Sequence, residues 1–401
     1  MESICEHHKT MAMKGKYVLW LTSWYPTEIS PYDGDFVQRH AKAVSIYREV
    51  VVVFIKKDAN GIITNSKKVI RTQNNNLTEI IFYYRPWTCG VKHIDKAVSF
   101  INYQLFYYKV VKDLIKEKGN PLLIHVHIIK QLAIVCSIIK RKYKVPFVFS
   151  EHWTGFLHEV KNSFKNHNPI YKRLWGRLFR SAEKVTVVSD VLGKSIQDHF
   201  GIKNYSVVQN VVDTTIFSPI YTPKINSNIF VHISNGTEQK NILKMLKAFS
   251  LVKKLNQDFI LHLFAPVKSD IIDLIKQLDL NNNVILHGEE PQNKLASVLQ
   301  QADALVLFSD YETFGCVIIE ANAAGVPAIL SNLPVFREFS IEKETCLFAS
   351  SNSLEDCAAT IDYFIQNKGH FDKNKIATRT RDLFSFEVIG KEFNAVYESL
   401  I

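Results

Sequence analysis

The stretch from Ala302 to Leu330 limits most strongly what this chain can fold into. It begins with ADALVLF (302–308), a short apolar run without polar alternation. Such runs are strands buried on both faces, as in a parallel sheet. A polar loop, Ser309-Asp310-Tyr311-Glu312-Thr313, follows. From Gly315 the spacing turns helical, with Val317, Ile318 and Ala321 on one side and Glu320 among them. Gly325 and Pro327 then end the helix, as glycine just past a helix and proline beyond it do. A strand, a loop and a helix returning across the sheet leave a crevice at the strand's carboxyl end, where such sheets bind ligands.

The residues around this crevice predict its chemistry. The first-turn amides at Phe314, Gly315 and Cys316 form a positive helix terminus suited to phosphate. Glu312 and Glu320 would be repelled by a diphosphate, so hydroxyl groups are their natural partners. One carboxylate can accept hydrogen bonds from two sugar hydroxyls. The competing reading is an ordinary capped helix with one glutamate solvated and the other salt-bridged, because short motif matches misfire often.

The letters E-T-F-G-x4-E, followed by A-x-A-x-G-x-P, resemble the signature of family 4 glycosyltransferases, retaining enzymes of the GT-B fold. The resemblance extends over most of the chain and implies an α/β architecture. Two Rossmann-like, doubly wound domains would face a cleft, with the C-terminal helix crossing back onto the first. It places Glu312 on the transferred sugar and Glu320 on the nucleotide ribose. Lys240, in NGTEQKNILKMLKAF, matches the lysine that binds the donor diphosphate, which suits a mobile point charge at a helix start. Gly34 is the candidate for the first-loop glycine that approaches the donor phosphates. His152, in S-E-H-W-T-G, matches the histidine that faces the reacting sugar, although a lone histidine is as readily structural. His127 joins it on the acceptor side. The family usually carries an arginine where this chain has Asn235, which removes one cation from the donor site. His287-Gly288-Glu289 falls where relatives contact the base through backbone atoms.

Further expectations follow the chain. KYVLWLTSWYP (16–26), a helix over YDGDFVQRHAKAVS and strand EVVVVFI make a βαβ start without G-x-G-x-x-G, which argues against an NAD-type site. Asp33-Gly34-Asp35 has the letters of a metal-binding D-x-D, but its place at a helix start favours Asp33 or Asp35 as an N-cap. No metal is expected. His125 and His127 share a strand face, yet no third zinc ligand of clear spacing lies near. Residues 58–86 predict a hairpin region, and helix Phe100–Lys118 is amphipathic and aromatic-rich. In KNSFKNHNPIYKRLWGRLFRSAEK (161–184), Tyr171, Leu174, Trp175, Leu178 and Phe179 recur at helical spacing between basic residues. This helix suits either a membrane interface or core packing. Asn210, Asp213, Phe217 and Pro219 match the family's interdomain segment. The turn ending at Glu338 resembles a family turn without its glycines. Domains are expected at 16–215, with 385–401 crossing back to it, and at 216–384.

Charge divides unevenly between the halves. Residues 1–220 carry 32 Lys and Arg against 17 Asp and Glu, a net +15; residues 221–401 carry 17 against 22, a net −5. A basic first half suggests an anionic partner such as a membrane surface, or a solubilising charge alone. The 401 residues exceed one ordinary core. No apolar run is long enough to span a membrane, and MESICEHHKTMAMKGK lacks a signal-peptide core. A disordered tail over 1–15, with Met11 or Met13 as alternative starts, is expected. Six scattered cysteines without C-x-x-C spacing fit reduced cytoplasmic thiols.

The resulting expectation is a metal-independent, retaining glycosyltransferase. It would be cytoplasmic, either free or peripheral on the inner face of the membrane. A UDP- or GDP-linked donor would bind the second domain; a glycan or lipid-linked acceptor of cell-surface polysaccharide would bind the first. Two alternatives remain: a non-catalytic sugar-nucleotide binder, which Asn235 allows, and a GT-B-fold sugar-nucleotide epimerase. Nucleic acid is not expected as a partner, since no recognised binding motif accompanies the charge.

Overall fold

The computed structural model describes residues 16–161, 163–220, 228–255, 257–350 and 353–401. The tail expected over 1–15, with its alternative starts, lies outside the described residues. Two sheets organise the chain. The first contains β1 (Tyr17–Thr22), β2 (Glu49–Lys57), β3 (Lys67–Asn74), β4 (Leu77–Tyr84), β5 (Leu123–His127), β6 (Phe147–Glu151), β7 (Lys184–Val187) and β8 (Ser206–Val207). Their spatial order is β3-β4-β2-β1-β5-β6-β7-β8. Only β3 runs against its neighbour, forming the hairpin expected over 58–86. Valines 50–53 of β2 and all of β1 are buried, as strands covered on both faces must be.

The second sheet holds β9 (Asn228–Ile233), β10 (Phe259–Phe264), β11 (Val284–Leu286), β12 (Ala304–Leu307), β13 (Ala328–Ser331) and β14 (Cys346–Ala349). Its order, β11-β10-β9-β12-β13-β14, is parallel throughout. Counted within the lobe, this is the doubly wound order 3-2-1-4-5-6, whose reversal between the first and fourth strands opens a crevice.

Four helices position the site: α1 (Asp35–Ser45), α2 (Lys92–Lys118), α3 (Cys316–Ala323) and α4 (Phe386–Glu398). Helix α4 crosses back from the second lobe and packs on α1. Gly390 makes that approach possible, since a Cβ there would lie 2.2 Å from the Ala43 carbonyl oxygen. The Tyr47 hydroxyl donates to the Glu387 carbonyl at 2.9 Å, and Arg48 bonds Asn394 and Glu398. Helix α4 falls within the span 385–401 expected to cross back; Ser385 is its N-cap and follows a separate helix, Lys373–Phe384.

Two boundaries differ from expectation. Helix α2 starts at Lys92 rather than Phe100, because the Asp95 carboxylate in its first turn accepts the Cys89 amide at 2.7 Å. The N-cap of α1 is Gly34, with no side-chain cap. Asp33 instead pairs with Lys56 at 3.3 Å, and Asp35 with Arg39 at 3.0 Å. The choice left open for the basic helix, Pro169–Ser181, resolves toward packing: Trp175, Leu178 and Phe179 are buried in the first lobe's core.

Candidate active site

A cavity of about 500 Å³ lies between the lobes, within the range of small-molecule sites. The second lobe supplies Lys240, Glu312, Glu320, Asn235 and the start of α3 at Phe314, Gly315 and Cys316; the first supplies Trp24, Asp35, Phe36, Arg39 and His152. Sequence residues as distant as 24 and 320 therefore share one wall-to-wall space.

Lys240 and Glu312 form an ion pair with both side chains largely buried. Their placement is built from the loops beside them. Lys240 ends a short 3-10 turn, and Asn241 follows in the left-handed region at φ 51°. The Asn241 side-chain amide donates to the Phe308 carbonyl at 3.1 Å and to Asp310; the Asp310 amide donates to the Gln239 carbonyl at 2.9 Å. These bonds fasten the lysine's turn to the loop after β12. Ser309 completes the arrangement by donating to Glu312 at 3.0 Å.

Helix α3 begins at Gly315, whose φ of 102° excludes an ordinary side chain. Its N-terminus opens into the cavity, where Gly315, Cys316 and Val317 all form part of the lining. A helix terminus there presents partial positive charge to an anion. Glu320, one turn further along, meets Arg39 of α1 at 2.7 Å. Burial raises the Glu320 carboxyl above its ordinary range, and the adjacent Arg39 opposes that rise. Burial also lifts the Cys316 thiol, to about 12.

The reading that paired one glutamate with a cation and left the other solvated is replaced by two ion pairs at the cavity. Glu312 takes Lys240 from its own lobe, and Glu320 takes Arg39 from the other. Asp35 accepts from Gln292 of the second lobe at 3.1 Å. Glu338 accepts the Asp190 and Val191 amides at 2.8 and 2.9 Å, capping a first-lobe helix from across the gap. Sequence reasoning missed Arg39, Asp35 and Gln292 as cleft residues. The i,i+4 spacing of Asp35 and Arg39 was the available signal.

Two expected site residues, Gly34 and His127, are not part of the cavity lining. Gly34 faces its own chain: at φ 69°, an added Cβ would lie 2.6 Å from the Trp24 carbonyl carbon and 2.7 Å from the Tyr25 nitrogen. His127 lies fully buried behind the cavity wall, stacked on Trp20 with ring centroids 4.0 Å apart. His152 does line the cavity, 4.8 Å from the Phe36 ring and 5.8 Å from His127.

His40, His127 and His152 bring ring nitrogens within 4.8 Å of one another, a set chemically able to take a transition metal. Five ring nitrogens of these three residues have no protein partner. Burial holds all three imidazoles neutral, His40 down to about 4 and the other two well below their ordinary value. His125, the other histidine of that strand face, is instead satisfied by Tyr397 and Ser150, each at 2.6 Å.

Comparison with known proteins gives the family and the fold. Residues 214–381 match the model described as glycosyl transferases group 1, and residues 91–216 match glycosyltransferase family 4. The chain belongs to these family 4, group 1 glycosyltransferases. It is 25% identical over 227 residues to N-acetyl-alpha-D-glucosaminyl L-malate synthase of Bacillus anthracis, covering 54% of this chain and 58% of that one. It is 22% identical over 337 residues to the putative teichuronic acid biosynthesis glycosyltransferase TuaC of Bacillus subtilis, covering 79% and 81%. Its fold matches Anabaena HepE in complex with UDP and glucose, with TM-score 0.70, 15% identity and coverage of 96% and 100%. The fold is GT-B.

Proposed function

We propose that the chain is a retaining glycosyltransferase moving a sugar from a UDP- or GDP-linked donor, without a metal ion, to a glycan or lipid-linked acceptor. Cell-surface polysaccharide is the product class this reading favours. The observation that carries it is the convergence of Lys240, Glu312, Glu320 and the α3 N-terminus on one cavity. The similarity to TuaC and to HepE with bound UDP and glucose supports the same reading.

In this reading Lys240 and the first-turn amides of α3 hold the donor diphosphate. Glu312 orients the transferred sugar, Glu320 accepts from the ribose hydroxyls, and His152 faces the sugar from the acceptor side. Negative charge grows on the departing diphosphate. Lys240 and the oriented amides therefore stabilise the transition state more than the ground state. Arg39 brings a guanidinium into the cavity from the first lobe, where Asn235 supplies none. No covalent nucleophile is assigned. The anomeric carbon–phosphate oxygen bond breaks as the acceptor oxygen attacks from the same face, and the leaving phosphate oxygen takes the acceptor's proton. Closure of the lobes keeps water away from the activated sugar.

A thermal-shift panel of nucleoside diphosphates and their sugars tests the donor class, because a ligand of the native state raises its melting temperature. UDP or GDP should raise it with chelator present. A panel in which no nucleotide shifts it contradicts the proposal.

A further inference from the structure

The surface of α2 carries an arrangement that folding does not require. One face, with Tyr103, Tyr107, Val111 and Leu114, is buried against the first lobe. A second apolar stripe faces solvent: Val91 is 50% exposed, Ile94 49%, Ile101 55% and Leu105 57%. Their spacing follows successive helical turns on one side, with half-buried Val98 between them. The same line continues at i+4, i+7 and i+11 from Leu105 as Lys109, Lys112 and Lys116, all exposed. Trp87 (56% exposed) precedes the stripe.

We infer that this face of α2 docks the enzyme on an anionic lipid bilayer. An apolar stripe with an exposed tryptophan and a run of lysines is the composition that lies in a membrane interface. The lobe's net +15 supplies attraction to anionic headgroups. A second copy of the chain is a poorer occupant, because the contact would bring two basic lobes together. Among the described residues no helix is long and apolar enough to cross a membrane.

The same helix is tied to the acceptor side of the cleft. Gln104 donates to the Gln131 carbonyl at 2.8 Å and accepts the Val135 amide at 3.1 Å. In that loop, the Ile129 amide is held by Glu151 at 2.7 Å, next to His152 of the cavity wall. Docking through α2 would thus present the first-lobe wall to a lipid-borne acceptor. This deepens the proposed function and rests on it for the nature of the acceptor.

Co-sedimentation with phosphatidylcholine vesicles, with and without phosphatidylglycerol, tests the inference. The wild-type protein should bind the phosphatidylglycerol vesicles and be weakened by salt. Ile94→Gln/Ile101→Gln/Leu105→Gln should weaken binding by at least about tenfold. Lys109→Glu/Lys112→Glu, which leaves the apolar stripe intact, should remove the preference for phosphatidylglycerol. Equal binding by both variants, no wild-type binding, or a wild-type dimer dissolved by the apolar substitutions would overturn it. The nucleotide thermal shift on the same preparations separates the two claims. A retained shift without vesicle binding sinks the docking surface and leaves the donor site standing; loss of the wild-type shift sinks the donor reading.

Discussion

Arg39 of the first lobe and Glu320 of the second meet at 2.7 Å across the cleft, with both side chains buried. Burial works against the arginine's charge, but Asp35 and Glu320 outweigh it and favour the charged guanidinium. In the proposed reading, the pair would couple lobe closure to the orientation of the carboxylate assigned to the ribose. Removing one member of a buried pair strands the other, at a cost of roughly 3–5 kcal/mol. Arg39→Ala should lose stability on that scale by chemical denaturation. Arg39→Ala/Glu320→Gln should recover part of the loss; strictly additive effects would show that the two residues are not coupled.

Lys240→Ala and Glu312→Ala each remove one side of the proposed donor grip. Each should lower transfer at least about 100-fold, the scale of losing one donor to a developing anion. Circular dichroism and melting should remain cooperative, because the pair lies on a cavity surface rather than in a core. Near-native transfer in either variant would remove that role.

Gly34→Ala tests the backbone assignment of the first loop. Positive φ and a Cβ 2.6 Å from the Trp24 backbone predict a destabilisation of about 1–3 kcal/mol. The tested role is structural, so the readout is the denaturation midpoint. An unchanged midpoint would show that the loop shifts freely.

Five buried histidines set the acid response. His40 and His232 are depressed to about 4 by burial, and His125, His127 and His152 are pushed well below their ordinary value. The unfolded chain therefore binds protons below its pKa of about 6.5 while the folded chain does not. Stability present above that pH falls as pH drops toward 4, by up to ~1.4 kcal/mol per pH unit for each histidine. Glu151, raised by burial to about 7, acts the opposite way between that value and its unfolded pKa and offsets one of them. Melting temperature should fall steeply from pH 6.5 to 4.5; a flat profile would mean these imidazoles are hydrated or already paired.

The order of legibility follows sequence distance. β12, its loop and α3 could be read from local letters, because an apolar run, Gly315 and Gly325 each have one physical consequence. The parallel second sheet followed from the same alternation. Arg39 was opaque because its partner lies 281 residues away, and nothing in QRHAK distinguishes a cleft arginine from a solvated one. The basic helix Pro169–Ser181 was ambiguous since one apolar stripe serves a core and a membrane equally. The outer stripe of α2 was hidden because Val91, Ile94 and Val98 precede Phe100, where the sequence reading began the helix. His127 was assigned to the acceptor side by resemblance, but the fold sets it one layer deeper, against Trp20.

The central claim concerns how the cavity grips a donor, and a crystal soaked with UDP- and GDP-sugars tests it most directly. The predicted result is pyrophosphate on Lys240 and the first amides of α3, ribose hydroxyls on Glu320 and the sugar ring on Glu312. Density for the nucleotide outside the interlobe cavity, or a bound donor that leaves Glu312 and Glu320 untouched, would contradict it.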